Sequence, residues 1–139
     1  MILLDTNVVS ELMRPAPSDT VENWISGHPT ASLFITAITE AELRYGVALL
    51  TEGQRKRSLL VQVEAMLVED FADRILPFDS SAASAYAQIA ATRRQAGRPI
   101  TQADAQIAAI AVARGATVAT RNIADFEGCG VTLVNPWAA

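Results

Sequence analysis

The chain has 139 residues, half of them hydrophobic and 19% charged, with a net charge of −4. That length supports one domain, residues 1–139, with a real core, and is too short for two. No apolar run approaches the roughly 20 residues of a membrane span, and the negative balance argues against a surface given over wholly to nucleic acid, although acids gathered around a metal would inflate the count.

The first element is Ile2–Asp5, an apolar run of strand length that ends on a carboxylate. The opening MILLDTN lacks the basic start and cleavage site of a signal peptide. Asp5 can cap the helix that follows through Thr6 and Asn7, or emerge as a functional acid from the edge of the core. Helical patterns cover Asn7–Met13 and Asp19–Ser26, joined by the loop Pro15-Ala16-Pro17. Gly27-His28-Pro29 reads as a turn with His28 exposed.

A second strand is expected at Leu33–Thr36 and a helix at Thr39–Leu50. Thr39-x-x-Glu42 has the form of a capping box, in which Thr39 and Glu42 satisfy the free N–H groups of a helix start. Glu42 also shares a helical face with Gly46, Leu49 and Leu50, so a functional reading stands beside the structural one. Glu40 falls elsewhere, four residues before Arg44, where a surface ion pair explains it.

The next helical pattern is Gln54–Asp73, in which Leu60, Val63, Met66, Leu67 and Phe71 form a core stripe. Together with Thr39–Leu50 it could also offer a groove to an amphipathic partner helix. Arg55-Lys56-Arg57 and Arg93-Arg94 with Arg98 read as solvated helix faces, with phosphate binding as the alternative. Strand Ile75–Phe78 leads through Asp79 into helix Ser80–Ala96.

Helix Gln102–Arg114 repeats the earlier pattern, with Thr101 as N-cap and Asp104 three residues on. Asp104 heads the stripe Ile107, Ala108 and Ala111, which should face a sheet, while Gln102 and Gln106 take the wet side. Strands Thr117–Thr120 and Val131–Val134 follow. Between them, Thr120 and Asn122 could orient a water or hold a phosphate oxygen. Asp125 could cap a short turn over Asn122–Phe126 or serve as a fourth acid. Cys129 is the sole cysteine, which excludes an intramolecular disulfide and suits a reducing cytosol.

Strands alternating with helices predict an α/β sandwich with a mainly parallel central sheet. Ligands sit beyond the carboxyl ends of such strands, where Asp5 and Thr120 fall. If Asp5, Glu42 and Asp104 meet as ions about 4.5 Å apart, each pair repels by roughly 3–4 kcal/mol at an effective dielectric of about 20. A hard dication would offset that cost, and all-oxygen ligation points to Mg²⁺ or Mn²⁺. Zinc is disfavoured, since His28 and Cys129 are the only residues of their kinds. No Ser-His-Asp or Cys-His set exists for a covalent route.

These residues together resemble the PIN-domain family, specifically VapC-type toxins of bacterial toxin–antitoxin pairs. The pieces are Leu4-Asp5-Thr6-Asn7 with Ser10-Glu11, Thr39-x-x-Glu42-Leu43-x-x-Gly46, Asp104-x-x-Ile107-Ala108-Ala109 with Gly115, Thr120-Arg121-Asn122-x-x-Asp125-Phe126, and the ending Val134-Asn135-Pro136-Trp137. The resemblance implies a PIN-like three-layer sandwich around a mainly parallel five-stranded sheet. It implies a cytoplasmic Mg²⁺- or Mn²⁺-dependent ribonuclease with Asp5, Glu42 and Asp104 holding metal, Asn122 and Asp125 completing the catalytic set, and Thr6, Asn7, Thr120 and Arg121 meeting substrate. Such proteins pair with a small antitoxin that blocks the site and carries the DNA-binding part, so DNA is met only through that partner; homodimers and higher complexes are usual. Some members carry Asp where this chain has Asn122, which leaves open a second metal. The competing expectation is a weakly active binding module that works with a DNA-binding partner in transcriptional control.

Overall fold

The structure, a computed structural model, describes residues 1–139. Its strands are β1 (Ile2–Leu4), β2 (Leu33–Thr36), β3 (Ile75–Leu76), β4 (Thr117–Ala119) and β5 (Leu133–Val134). They form one five-stranded sheet in the order β3-β2-β1-β4-β5, and every pairing is parallel. The expected sheet is therefore present, with all of its strands parallel and most of them shorter than the apolar runs suggested.

Side chains alternate across a strand, and that alternation decides the layers. Leu3 and Val118 face one core; Leu4 and Ala119, their chain neighbours, face the other. The first core is closed by α5 (Ser80–Gln95), α6 (Gln102–Arg114) and α7 (Ile123–Phe126), and the second by α1 (Thr6–Leu12), α2 (Asp19–Ser26), α3 (Ala37–Ala48) and α4 (Gln54–Ala65). Each fully buried Leu, Ile or Val contributes about 1.5–3 kcal/mol. On α6 the stripe Ile107, Ala108 and Ala111 is buried as expected, Ala105 is buried with it, and these small residues let the helix lie close to both sheet and α5. Gly115, at φ 65°, ends that helix in the left-handed conformation that a side chain would strain. No helix is long and apolar enough to cross a membrane.

Several sequence expectations need correction. Helix α3 starts at Ala37, because β2 runs into it without a loop and Thr36 caps it, its hydroxyl accepting from the Thr39 amide at 3.2 Å. Thr39 is thus inside the helix, and Thr39-x-x-Glu42 is not a capping box. The pattern Gln54–Asp73 is an α-helix only to Ala65; a π-helical turn, Met66–Asp70, completes it before Asp73 turns the chain at φ 62°. Leu60 is 46% exposed, while Val63, Met66, Leu67 and Phe71 are buried. His28 is half-buried, its Nδ1 donating to the Trp24 carbonyl at 2.7 Å and its ring against the Trp24 indole.

Arg93 departs furthest from expectation. It is buried, not solvated, and donates to the carbonyls of Arg98 (2.7 Å), Asp125 (2.9 Å) and Glu127 (2.8 Å). The chain around α7 has few backbone hydrogen bonds of its own, and a guanidinium fork can satisfy several carbonyls at once. Arg98 pairs with Glu127 at the surface, and Glu40 pairs with Arg44 as its spacing indicated.

Candidate functional site

The strand order changes direction at β1. The chain builds outward through β2 and β3, then returns to the other side of β1 for β4 and β5. In open parallel sheets the crevice for a ligand lies at such a switch point, beyond the carboxyl ends of the strands. Asp5 follows β1 there and Thr120 follows β4.

Asp5 is buried and caps α1, its Oδ1 accepting from the Thr6 amide at 2.8 Å. Its Oδ2 accepts the Thr120 hydroxyl at 2.7 Å. Both readings offered by the sequence, cap and core-edge acid, describe the same side chain. Thr120 is fully buried beneath the hollow; its oxygen also accepts from the Asn122 amide at 3.0 Å and the Asn7 side-chain amide at 3.4 Å. Asn7 in turn accepts from the Arg121 amide at 3.4 Å. Asn7, Thr120 and Asn122 thereby tie the start of α1 to the loop after β4.

Glu42 corrects the picture of an inward-facing acid. It is exposed, because the buried face of α3 is Thr39, Leu43 and Val47, and Glu42 falls beside it at the rim. It still belongs to the same hollow: the Thr6 hydroxyl donates to Glu42 Oε1 at 2.7 Å and lies 3.0 Å from the Thr39 hydroxyl. One proton serves one acceptor, so Thr6 gives its proton to the carboxylate and accepts from Thr39. Thr101 caps α6 as expected, accepting from the Asp104 amide at 3.2 Å, and Asp104 is half-buried.

Asp5, Glu42 and Asp104, with Thr6, Asn7, Arg121 and Asn122, surround a hollow of about 480 Å³. Asp125 does not line it; it sits exposed on α7, with its charge felt at both Asp5 and Asp104. The acids share the hollow without forming a compact ligand set: no three His, Cys, Asp or Glu side chains stand close enough to hold one ion together. The spacing is thus wider than the tight triad considered from sequence, because Glu42 stands at the rim.

The field in the hollow is unfavourable to carboxylates. Burial pushes the Asp5 carboxyl above its ordinary value, the Thr120 and Thr6 hydrogen bonds oppose that, and the charges of Glu42 and Asp125 add to the rise. Burial likewise raises Asp104, opposed by Thr101 and, weakly, by Arg93, and reinforced by Asp5 and Asp125. The Thr, Ser and Asn side chains facing this field offer only oxygen and amide groups, and Arg14 and Arg121 bring positive charge to the wall.

Ser10, Glu11, Arg14 and Trp137 complete the wall. None of them carries a role by sequence motif alone, yet Asn7, Ser10, Glu11 and Arg14 follow an i, i+3, i+4, i+7 helical spacing that marks them as one group. Glu11 is buried and accepts from the Ser18 amide at 2.9 Å, which together with Arg14 lowers its carboxyl below the usual value. Trp137 gave no local signal; it reaches the hollow on the C-terminal 3₁₀ turn Pro136–Ala138.

A groove of about 630 Å³ continues from the hollow between α1, α3 and α4, past Leu43, Gly46, Val47 and Leu59. Thr6, Ser10, Arg14 and Glu42 belong to both walls. It lies between the two helices that the sequence suggested for a partner.

Residues 2–127 match the PIN domain. The chain is 48% identical to the plasmid stability protein StbB of Pseudomonas syringae pv. tomato, over the whole of both chains. It is 42% identical to the VapC ribonuclease Y4jK of Sinorhizobium fredii, over 99% of this chain and 98% of the relative. Among solved structures, FitAB bound to an IR36 DNA fragment matches 99% of this chain and 96% of its own with a TM-score of 0.92 at 44% identity.

Proposed function

Because the chain belongs to the PIN-domain family, we propose that it is a metal-dependent endoribonuclease, the toxin of a VapBC-type toxin–antitoxin pair, acting in the cytoplasm as one domain over residues 1–139. One observation carries this reading: acids from three remote segments, Asp5, Glu42 and Asp104, open into a single hollow at the switch point of the sheet. The likeness to a VapC ribonuclease and to a plasmid stability protein supports the activity and the setting. The likeness to FitAB on DNA supports assembly with a partner through which DNA is met. The groove beside the hollow supports that partner being an antitoxin whose segment lies along α3 and α4 and ends over the acids. Exposed Tyr45, Leu49, Leu60 and Val61 on the same two helices leave apolar surface for a homodimer or a higher complex.

The donor set fits Mg²⁺ or Mn²⁺. Mg²⁺ keeps several of its waters and binds through one or two carboxylates together with substrate phosphate. Acids that share a hollow without touching suit that habit. Asp5, Glu42 and Asp104 would supply the one or two carboxylates that such an ion binds, with Asn122 and Asp125 nearby. When bound, such an ion supplies positive charge opposite the phosphoryl oxygens and lowers the pKa of its water.

The chain's own residues do the rest. Asp5 is fixed from two sides, by Thr6 and Thr120, so its orientation costs nothing on substrate binding. Asp104, with its carboxyl raised by burial, is suited to take the proton of an attacking water at its Oδ as the water oxygen bonds to phosphorus and the opposite P–O bond breaks, the departing oxygen taking a proton from solvent. Thr6, Asn7 and Asn122 offer hydroxyl and amide groups at the wall, and Arg121 offers the charge that a phosphate oxygen seeks.

The test is cleavage of RNA oligonucleotides by the purified chain with and without Mg²⁺ or Mn²⁺, beside Asp104→Asn. Metal-dependent cutting by wild type alone is expected. Cutting that persists in excess chelator, or in Asp104→Asn at the wild-type rate, overturns the mechanism; no cutting under any metal, with tight antitoxin binding, favours the binding module.

A further inference from the structure

Arg121 and Trp137 make an arrangement that the acids do not explain. The Arg121 guanidinium lies 5.0 Å from the centre of the Trp137 ring, and both side chains border the hollow. Trp137 is held from behind: its amide donates to Asn135 Oδ1 at 2.9 Å, Pro136 beside it is buried, and its indole packs on the core beneath α1 and α2. Arg121 is exposed and takes part in none of the chain's ion pairs, although Glu11 is near enough to feel its charge. A free guanidinium ordinarily samples many rotamers; over an aromatic face it gains roughly 0.5–1 kcal/mol at an exposed site and is confined.

Resting on the ribonuclease reading, we propose that Trp137 is a positioning residue that holds the Arg121 guanidinium at the rim of the acidic hollow, where it clamps a phosphate of single-stranded RNA next to the one that reacts. The geometry separates two signs of charge across a short span: acids within, one pre-set cation at the edge. A free nucleotide reaches the acids alone, whereas a strand crossing the hollow meets both. Trp137 therefore serves strand binding more than the chemical step, and it acts only through Arg121.

The experiment compares Trp137→Leu, Trp137→Phe, Arg121→Ala and the double variant Trp137→Leu/Arg121→Ala on a single-stranded RNA oligonucleotide. Leu fills much of the space against the core but offers no aromatic face; Phe keeps a face. Trp137→Leu is expected to raise KM about two- to fivefold, the range of one exposed cation–aromatic contact, with kcat within about twofold. Trp137→Phe should stay near wild type. Arg121→Ala should raise KM at least as far and lower the salt dependence of RNA binding by about 0.7 in log–log slope, the share of one phosphate contact on a single strand. The double variant should match Arg121→Ala. Multiplying effects in the double variant, or wild-type KM in Trp137→Leu, overturns the proposal while leaving the nuclease reading intact. A wild-type chain that neither cuts nor binds RNA overturns both. If Trp137→Leu does not fold, Trp24→Phe leaves Trp137 as the only indole, and its fluorescence decides: RNA must alter it with Arg121 present and much less in Arg121→Ala, and an equal response in both overturns the clamp.

Discussion

The Thr120 hydroxyl donates to Asp5 Oδ2 at 2.7 Å, joining residues 115 positions apart across the boundary between β1 and β4. This bond fixes an acid whose environment otherwise opposes its charge. Thr120→Val keeps the shape and removes the donor. Loss of that bond costs about 1–3 kcal/mol for a buried, unsatisfied charged partner. It also removes the largest effect opposing the rise of the Asp5 carboxyl, so the acidic limb of the pH–rate profile should move to higher pH. Denaturant unfolding and the pH dependence of RNA cleavage check the two halves, and a variant with an unshifted limb contradicts the assignment.

Asp104→Asn should reduce RNA cleavage by about 100-fold or more while retaining the wild-type circular dichroism spectrum, the scale of a lost proton acceptor. Asp5→Asn should do the same. Cleavage time courses at saturating metal provide the measurement.

The same Asp104→Asn substitution should stabilise the metal-free protein at pH 7. A carboxyl whose folded pKa is raised binds protons more readily folded than unfolded, so its favourable contribution is complete below the unfolded value and is lost as pH rises through the raised one. At neutral pH the ionised side chain is therefore a burden that Asn removes. Melting in EDTA should rise by a few degrees at pH 7, with the gain fading toward pH 3. Added Mg²⁺ should stabilise wild type more than the variant.

Arg93→Met should destabilise the chain by about 2–5 kcal/mol, because the carbonyls of Arg98, Asp125 and Glu127 lose a shared buried donor. Urea unfolding measures it. A loss within 0.5 kcal/mol would mean that the α7 segment holds its place without the clamp.

Gly46 borders the groove, and a Cβ there meets nothing within 4 Å. Gly46→Ala should add about 0.5–1 kcal/mol of stability through helix propensity. Gly46→Trp should fill the groove and weaken antitoxin binding at least tenfold while RNA cleavage stays within twofold. Calorimetric titration with the antitoxin and a cleavage assay separate these effects.

How much of this was legible beforehand follows from the range of the forces involved. The strands and the buried stripe of α6 could be read because alternation and helical spacing are local patterns. The convergence of Asp5 and Asp104 could be read from topology, since both lie at element ends on one edge of a parallel sheet. Glu42 was harder to place, because the face it shares with Gly46 and Leu49 is exposed while α3 buries Thr39, Leu43 and Val47, and neither stripe is marked by hydrophobicity alone. Arg93 looked like a solvated charge because its partners are backbone carbonyls, which carry no residue-type signature. Trp137 depends on the fold of the C-terminus against α2, a contact that no neighbouring residue announces.

β1 lies in the middle of the sheet, yet one of its two neighbours, β4, is made of residues 117–119. A growing polypeptide therefore has β1 paired on one side only until Thr117–Ala119 has been made. Contacts between such distant stretches form late and slowly. A product truncated before that strand has Asp5 but no Thr120 to steady it, and no Arg121 at the rim. Translation itself keeps the acidic hollow unfinished until β4 and the loop after it arrive.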